Sequence, residues 1–346
     1  MPRSAPSGNT QKLAKLLDVL GRDKAMLIVL QDYPDPDAVA SASALKELAR
    51  NRANTCCSIA CGGLVGRAEN RALVRYLGVN LLEMAKQDLP VYDRVALVDT
   101  QPGTGNNALP GDVVPDIVID HHPIRPATRK SAFHDIRSRY GAASTILYEY
   151  LAEAGIEPPV PLATALLYGI RSDTNDLGRE TTQSDIDAFI SLYPVANKRM
   201  LGRIVMERLP REYFELLVRS LTNARTYGRC VLTALGRIDN PDMIGEVADL
   251  LLRDEESTWA LAYGVHDGRM LLSLRTSEAD ADAGKIMHRL VGRKGTGGGH
   301  HAMAGGQIPL KTGAAREVAR LESTIVERLL RLTGETATRA RRLVTG

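Results

Sequence analysis

Short unbroken apolar runs alternate with stretches of helical period through the first half of the chain. Residues 25–30 (Ala-Met-Leu-Ile-Val-Leu) stop abruptly at Gln31 and Asp32, as a parallel strand buried on both faces does. Residues 39–50, rich in Ala, Leu, Lys and Glu, read as a helix, 55–60 as the next strand and 69–77 as the next helix. Two further apolar strands, 94–98 and 113–119, each run into an aspartate, and 142–154 and 162–170 are helical by period and propensity. This alternation predicts a doubly wound α/β domain with a parallel sheet and crossovers on both faces.

The pattern changes after Pro194. Residues 197–226 are charged, with Ile204, Leu209, Phe214, Leu217 and Leu221 near helical spacing, and read as one long helical connector. Strands at 229–238, 259–265 and 269–275, then a helix at 283–290, predict a second, smaller α/β domain. The expected organisation is a metal-binding catalytic domain over 1–195, a helical connector over 196–226 and a substrate-binding domain over 227–346.

Composition narrows the partners. The 346 residues hold 3 Phe, 1 Trp and 11 Tyr, few aromatics for a platform that stacks the bases of a long single strand. A net charge of +3 is too small to argue for stable duplex binding. The basic run Arg339, Arg341, Arg342 reads as a solvated helix end. No apolar stretch is long enough to span a bilayer, and residues 1–10 do not resemble a signal peptide. Cys56, Cys57, Cys61 and Cys230 lack a second ligand pair at zinc-finger spacing and read as reduced thiols, which places the chain in the cytoplasm.

The candidate chemistry lies at the strand ends, where open parallel sheets bind ligands. The first strand is followed by Gln31, Asp32, Asp35 and Asp37, the strand at 94–98 by Asp99, and that at 113–119 by Asp120, His121 and His122. Asp173 follows the helix at 162–170. One aspartate in such a place is most often a cap or turn residue. Four clusters in the order of one sheet edge repel one another unless cations hold them, and this donor set suits Mn2+ or Mg2+. Two such ions activate water and clamp the attacking and leaving oxygens of a phosphoryl group.

These segments (Pro34-Asp35-Pro36-Asp37-Ala38, Asp99-Thr100, Asp120-His121-His122-Pro123 and Ser172-Asp173-Thr174) resemble the four metal-binding motifs of the DHH phosphoesterases. The chain Gly297-Gly298-Gly299-His300-His301-Ala302-Met303-Ala304-Gly305 resembles the glycine-rich signature of their DHHA1 substrate-binding domain. The similarity runs from about residue 25 to the end, and is greatest to the branch containing oligoribonucleases, 3′-phosphoadenosine-phosphate phosphatases and RecJ-like nucleases. It implies an active site in the cleft between the two domains, with two Mn2+ ions or Mg2+ in their place. Asp35 and Asp99 are implied as ligands of one ion, and Asp37, Asp99, His121 and Asp173 as ligands of the other, with Asp99 bridging. His122 and Asp120 are implied as the catalytic pair, His122 lying near the scissile phosphate. The family opens its first motif with histidine where this chain has Gln31, so one ion is expected to bind less firmly.

For substrate, Gly297, Gly298, Gly299 and His300 are expected to cradle a phosphate with backbone N–H groups, Arg275 to reach the nucleotide, and Arg67 to stand at the cleft. His122 also reads as support for His121, and Arg275 and Arg67 as solvated charges. The expected activity is hydrolysis of phosphate esters of small nucleotides or short oligonucleotides by a cytoplasmic enzyme, as a monomer or homodimer. A pyrophosphatase or polyphosphatase of the same chemistry, and a catalytically degenerate nucleotide-binding protein, are the alternatives.

Overall fold

The computed structural model describes residues 8–299, 301–336 and 339–344. It divides into two compact units, Met1–Glu207 and Arg208–Gly346.

The first unit runs α1 (Gly8–Leu20), β1 (Ala25–Val29), α2 (Pro36–Ala53), β2 (Cys56–Cys61), α3 (Ala68–Leu77), β3 (Leu81–Glu83), β4 (Arg94–Val98), β5 (Ile117–Asp120), β6 (Phe133–Ile136), α4 (Ala143–Glu153), α5 (Val160–Asp173), α6 (Gln183–Leu192) and α7 (Lys198–Val205). Its six strands are all parallel, in the order β3-β2-β1-β4-β5-β6. The chain builds outward from β1 in one direction, then from β4 in the other, so the strand order reverses between β1 and β4. That reversal opens a crevice at the carboxyl ends of these two strands, the place where such sheets bind ligands.

The two faces of the sheet are covered differently. Met26 and Ile28 of β1, Ala96 and Val98 of β4 and Ile117 and Ile119 of β5 pack against the helices in one core. Leu27, Val29, Leu97 and Val118 face a thinner cover made by Met84, Leu89, Tyr92 and Leu109. The expected helices on both faces are therefore confined to one. The reason is local: Met84 and Leu89 belong to three-residue 3-10 turns, and residues 99–116 hold three glycines, three prolines and one asparagine pair, with no helical period. The strand expected at 113–119 begins only at Ile117, beyond Pro115. Helix α1 was not expected; its Leu13, Leu16 and Leu20 are buried on one stripe.

The second unit runs α8 (Arg211–Asn223), β7 (Arg225–Tyr227), β8 (Cys230–Arg237), α9 (Asp242–Leu251), β9 (Trp259–His266), β10 (Arg269–Thr276), α10 (Ala283–Val291), β11 (Thr296–Gly299), β12 (Met303–Pro309), α11 (Ala315–Leu332) and β13 (Arg341–Arg342). Its sheet has the order β11-β12-β10-β9-β8-β7-β13 and is antiparallel except for β8 and β9, which α9 joins as a crossover. The helix expected to run unbroken through 197–226 is two helices, α7 and α8, separated by a segment ending in Pro210. Proline has no amide hydrogen and starts a helix rather than continuing one. Among the described residues, no helix is long and apolar enough to cross a membrane.

Candidate metal centre

Each ligand candidate reaches the crevice for a local reason. Pro36 at the first position of α2 leaves Asp35 as its N-cap, where Oδ1 accepts the amide of Ala38 at 2.9 Å. Asp37, in the first turn, is fully buried. Its Oδ2 accepts the amide of Ala143 and its Oδ1 that of Ser144, both at 2.7 Å, so it caps α4 from another helix. Gly169 of α5 permits this approach, because a Cβ there would lie 2.4 Å from Ser144 Oγ and 3.1 Å from Asp37 Oδ1. Asp99, just past β4, has φ +57°, a left-handed conformation that aspartate tolerates better than most residues and that recurs at functional sites. Asp173 is the last residue of α5.

His121 Nε2 is the point of convergence. It stands 3.3 Å from Asp173 Oδ2, 3.4 Å from Asp99 Oδ1 and 4.0 Å from Asp37 Oδ2. Its other ring nitrogen, Nδ1, lies 3.1 Å from the carbonyl oxygen of Tyr140, which fixes Nδ1 as an N–H and leaves Nε2 as the atom that faces the carboxylates. Gln31 is in the same crevice, its Nε2 donating to Asp35 Oδ2 at 3.0 Å and to Asp99 Oδ2 at 3.3 Å.

The electrostatics are those of carboxylates crowded together out of water. Asp35 is pushed up to about 7, by burial first and then by Asp173 and Asp37. Asp37 is pushed up to about 6 by burial and Asp173, and Asp99 is held well above the usual carboxylate range by burial and Asp35. Burial lowers the His121 imidazole, but the nearby Asp173 and Asp99 carboxylates outweigh this and raise it well above its ordinary value. Asp99 Oδ1 is buried with no hydrogen-bond donor in bonding geometry among the described residues. Hard oxygen donors around one imidazole, with a buried carboxylate oxygen left over, fit a Mn2+ or Mg2+ ion. Asp37, His121 and Asp173 form one cluster of such geometry, and Asp99, Asp120, His121 and His122 a second.

Asp120 borders this cage of carboxylates, with its Oδ1 committed to the two histidines. Its Oδ1 accepts the His121 amide at 2.7 Å, the His122 amide at 3.2 Å and His122 Nδ1 at 2.8 Å. Burial raises its carboxyl, yet His122 and His121 together with the Gln101 amide hold it below the usual range, so it stays anionic and keeps the proton on His122 Nδ1. Gln101 was not anticipated. It is fully buried, donates to Asp120 Oδ2 at 2.7 Å and accepts from the Arg125 amide and Thr128 Oγ1, both at 2.8 Å.

The substrate-side expectations meet the structure less directly. Gly297, Gly298 and Gly299 lie on β11, an edge strand paired with β12, rather than in an open turn. A Cβ at Gly297 would come 2.9 Å from Met287 Cγ, and one at Gly299 2.2 Å from the Met303 carbonyl, so packing alone requires glycine there. Arg275, near the end of β10, is paired with Asp249 and donates to Ser273 Oγ at 2.7 Å. Arg67 is the N-cap of α3, 4.0 Å from Glu69. His300 lies outside the described residues.

Comparison with known proteins agrees with the motif pattern. Residues 26–170 match the model of the DHH family, N-terminal domain, and residues 228–327 that of the DHHA1 domain. The chain is 36% identical over 319 residues to an uncharacterized protein of Methanocaldococcus jannaschii, covering 90% of this chain but 65% of that one, less than two thirds of its length. It is 24% identical over 297 residues to a probable manganese-dependent inorganic pyrophosphatase of Deinococcus radiodurans, covering 75% of this chain and 93% of the relative. A solved exopolyphosphatase-related protein from Bacteroides fragilis shares the fold, with a TM-score of 0.74 at 15% identity over 97% of this chain and 100% of that one. The chain belongs to the DHH family, an N-terminal DHH domain followed by a DHHA1 domain.

Proposed function

We propose that this protein is a divalent-metal phosphohydrolase acting on phosphate esters of small nucleotides or short oligonucleotides. The observation that carries this is the convergence of Asp37, Asp99 and Asp173 on His121 Nε2, at distances of 3.3 to 4.0 Å, in the crevice where the strand order reverses. Asp37, Asp99, His121 and Asp173 would hold one ion, and Asp35, Asp99 and Gln31 a second. A divalent ion there supplies Lewis-acid polarisation of a phosphoryl oxygen and lowers the pKa of water.

The chain's own contribution is orientation and proton placement. Asp120 anchors His122 Nδ1–H and so aims Nε2 outward, and the ring is 38% exposed, open to a phosphate group. In its doubly protonated form the ring also carries a proton on Nε2 and would donate it to a phosphoryl or leaving oxygen, returning to the neutral imidazole with its Nδ1–H still on Asp120. A manganese ion suits the site's mixture of carboxylates and imidazole, in keeping with a relative described as a manganese-dependent pyrophosphatase.

A pyrophosphatase activity is the second reading, supported by that relative's coverage. Pyrophosphate concentrates charge and calls for converging cations. The arginines beside the ligands are committed elsewhere: Arg171 pairs with Asp176, and Arg179 donates to the Asp173 carbonyl at 2.9 Å. A panel of dinucleotides, nucleoside 3′,5′-bisphosphates and pyrophosphate, each with Mn2+ and with chelator, separates the readings. Mn2+-dependent release of nucleoside monophosphate or phosphate from a nucleotide supports the proposal; turnover of pyrophosphate alone selects the second reading; turnover of none overturns both.

A further inference from the structure

We infer that Asp185, on a helix that supplies no metal ligand, is a positioning residue for His121, acting through the single peptide unit between Tyr140 and Gly141. The inference rests on the reading of His121 as a metal ligand.

A trans peptide carries its C=O and N–H on opposite edges of one rigid plane. The Tyr140 carbonyl receives His121 Nδ1 at 3.1 Å, and the N–H on the other edge of that plane, from Gly141, donates to Asp185 Oδ2 at 2.9 Å. Carboxylate, peptide and imidazole therefore form one chain of hydrogen bonds. Fixing the N–H fixes the direction of the carbonyl, and the carbonyl fixes which ring nitrogen of His121 bears the proton. A donor bond to a carboxylate also polarises the peptide, making its oxygen a stronger acceptor for Nδ1–H.

Asp185 is built to hold this position. It is fully buried, and its carboxylate is fixed by the Thr182 amide at 2.8 Å and by Thr182 Oγ1 and Thr145 Oγ1, both at 2.6 Å. The first of these bonds, together with the Asp185 amide donating to the Thr182 side chain, makes a capping box at the start of α6. Ser184, in the same turn, donates to Tyr140 Oη at 3.1 Å, so α6 grips both residues of the peptide. Glycine at 141 is required by space: a Cβ would lie 2.4 Å from Thr174 Cγ2 and 3.0 Å from the Glu180 carbonyl. Glycine also lets a peptide flip at little cost. Without the Asp185 acceptor, this plane is free to rotate and withdraw the carbonyl from His121.

The test compares Asp185→Asn, Asp185→Ala and His121→Ala with the natural protein by calorimetric Mn2+ titration and 15N NMR of the His121 ring in the Mg2+-loaded state. Asp185→Asn, which keeps the shape and one acceptor but loses the charge, is expected to weaken Mn2+ binding roughly threefold to tenfold, and Asp185→Ala about tenfold to a hundredfold. Both should lose the slow exchange of the His121 Nδ1 proton, a readout that a purely structural role leaves unmoved. In the natural protein, Mg2+ should shift the Gly141 amide proton downfield, since coupling along the chain is reciprocal; this readout holds even if a variant fails to fold. A Gly141 amide indifferent to Mg2+, or a folded Asp185→Asn with natural Mn2+ affinity and Nδ1 protection, overturns the inference. His121→Ala binding Mn2+ as the natural protein does would instead sink the ligand reading beneath it.

Discussion

Asp37 Oδ1 accepts the backbone amide of Ser144 at 2.7 Å, so a carboxylate at the head of α2 serves as the cap of α4. Ala142, in the N-cap position of α4, provides no side-chain bond of its own. Asp37 thus has two tasks: it faces the cage and satisfies two orphan helix donors, the other being Ala143. Asp37→Ala should therefore abolish metal binding and also lower the unfolding free energy of the metal-free protein by about 1–3 kcal/mol. Urea unfolding in chelator at pH 7 measures this. Unchanged or higher stability would mean that relief of repulsion from Asp173 outweighs the lost cap.

Gln101→Ala isolates catalysis from metal binding. The variant removes the Gln101 Nε2 bond to Asp120 and leaves the Arg125 amide and Thr128 hydroxyl without their acceptor. Expected effects are a loss of about 2–3 kcal/mol of stability and roughly a tenfold fall in kcat, because His122 is less firmly held. Mn2+ affinity should hold within about threefold, since the bonds of the Gln101 side chain go to Asp120, Pro123, Arg125 and Thr128 and not to the proposed ligands Asp35, Asp37, Asp99, His121 and Asp173. A kcat equal to that of the natural protein would remove Gln101 from the support of His122.

The acidic residues that gather at the crevice were legible in the sequence because each stands next to its own punctuation: Asp35 and Asp37 around Pro36, Asp99 and Asp120 at the ends of apolar runs. Their supports were not, because the partners are distant in the chain. Asp185 reaches Gly141 across 44 positions, and Asp37 reaches Ala143 across 106. The capping-box pattern Thr182-Gln183-Ser184-Asp185 was a readable signal for Asp185, though only of a helix start. In the second unit, the glycine run was read as a phosphate cradle from composition; its place on an edge strand packed beneath Met287 depends on tertiary contacts that no local pattern encodes.

The pH dependence of the metal-free fold follows from the cage. Asp35 and Asp37 have folded values of about 7 and about 6, above the ordinary 3.8, so the folded state binds more protons than the unfolded state between those limits. Their stabilising contribution is complete below pH 3.8 and is lost as pH rises through about 6 and about 7. Asp120 runs the other way, but its loss falls below its ordinary value of 3.8, outside this window. Chelated protein should therefore melt at a lower temperature at pH 8 than at pH 5.5, and saturating Mn2+ should raise Tm more at pH 8, where no protons compete for the ligands. Equal Mn2+-induced shifts at both pH values would contradict the assignment of these carboxylates to the metal site.

On the proposed two-ion reading, Gln31 makes the two ion positions unequal. Its Nε2 donates to Asp35 Oδ2 and Asp99 Oδ2, so the side chain that borders the cage offers hydrogens to two carboxylates. To serve as a ligand, the amide must rotate by a half turn and present Oε1, giving up both bonds. An imidazole at this position would present a lone pair of greater affinity for Mn2+ than a neutral amide oxygen. The ion held by Asp35, Asp99 and Gln31 should therefore bind more weakly than the one held by Asp37, Asp99, His121 and Asp173, whose imidazole is already fixed by the Tyr140 carbonyl at 3.1 Å. Calorimetric Mn2+ titration should resolve two unequal steps, with activity following the weaker one. Gln31→His should tighten that step about tenfold and leave the stronger step unchanged. The variant also removes the amide that bridges Asp35 to Asp99, so the chelated protein should lose stability even as the loaded protein gains it. Two equally tight steps in the natural protein, or a Gln31→His titration identical to it, would show that Gln31 does not border a metal position.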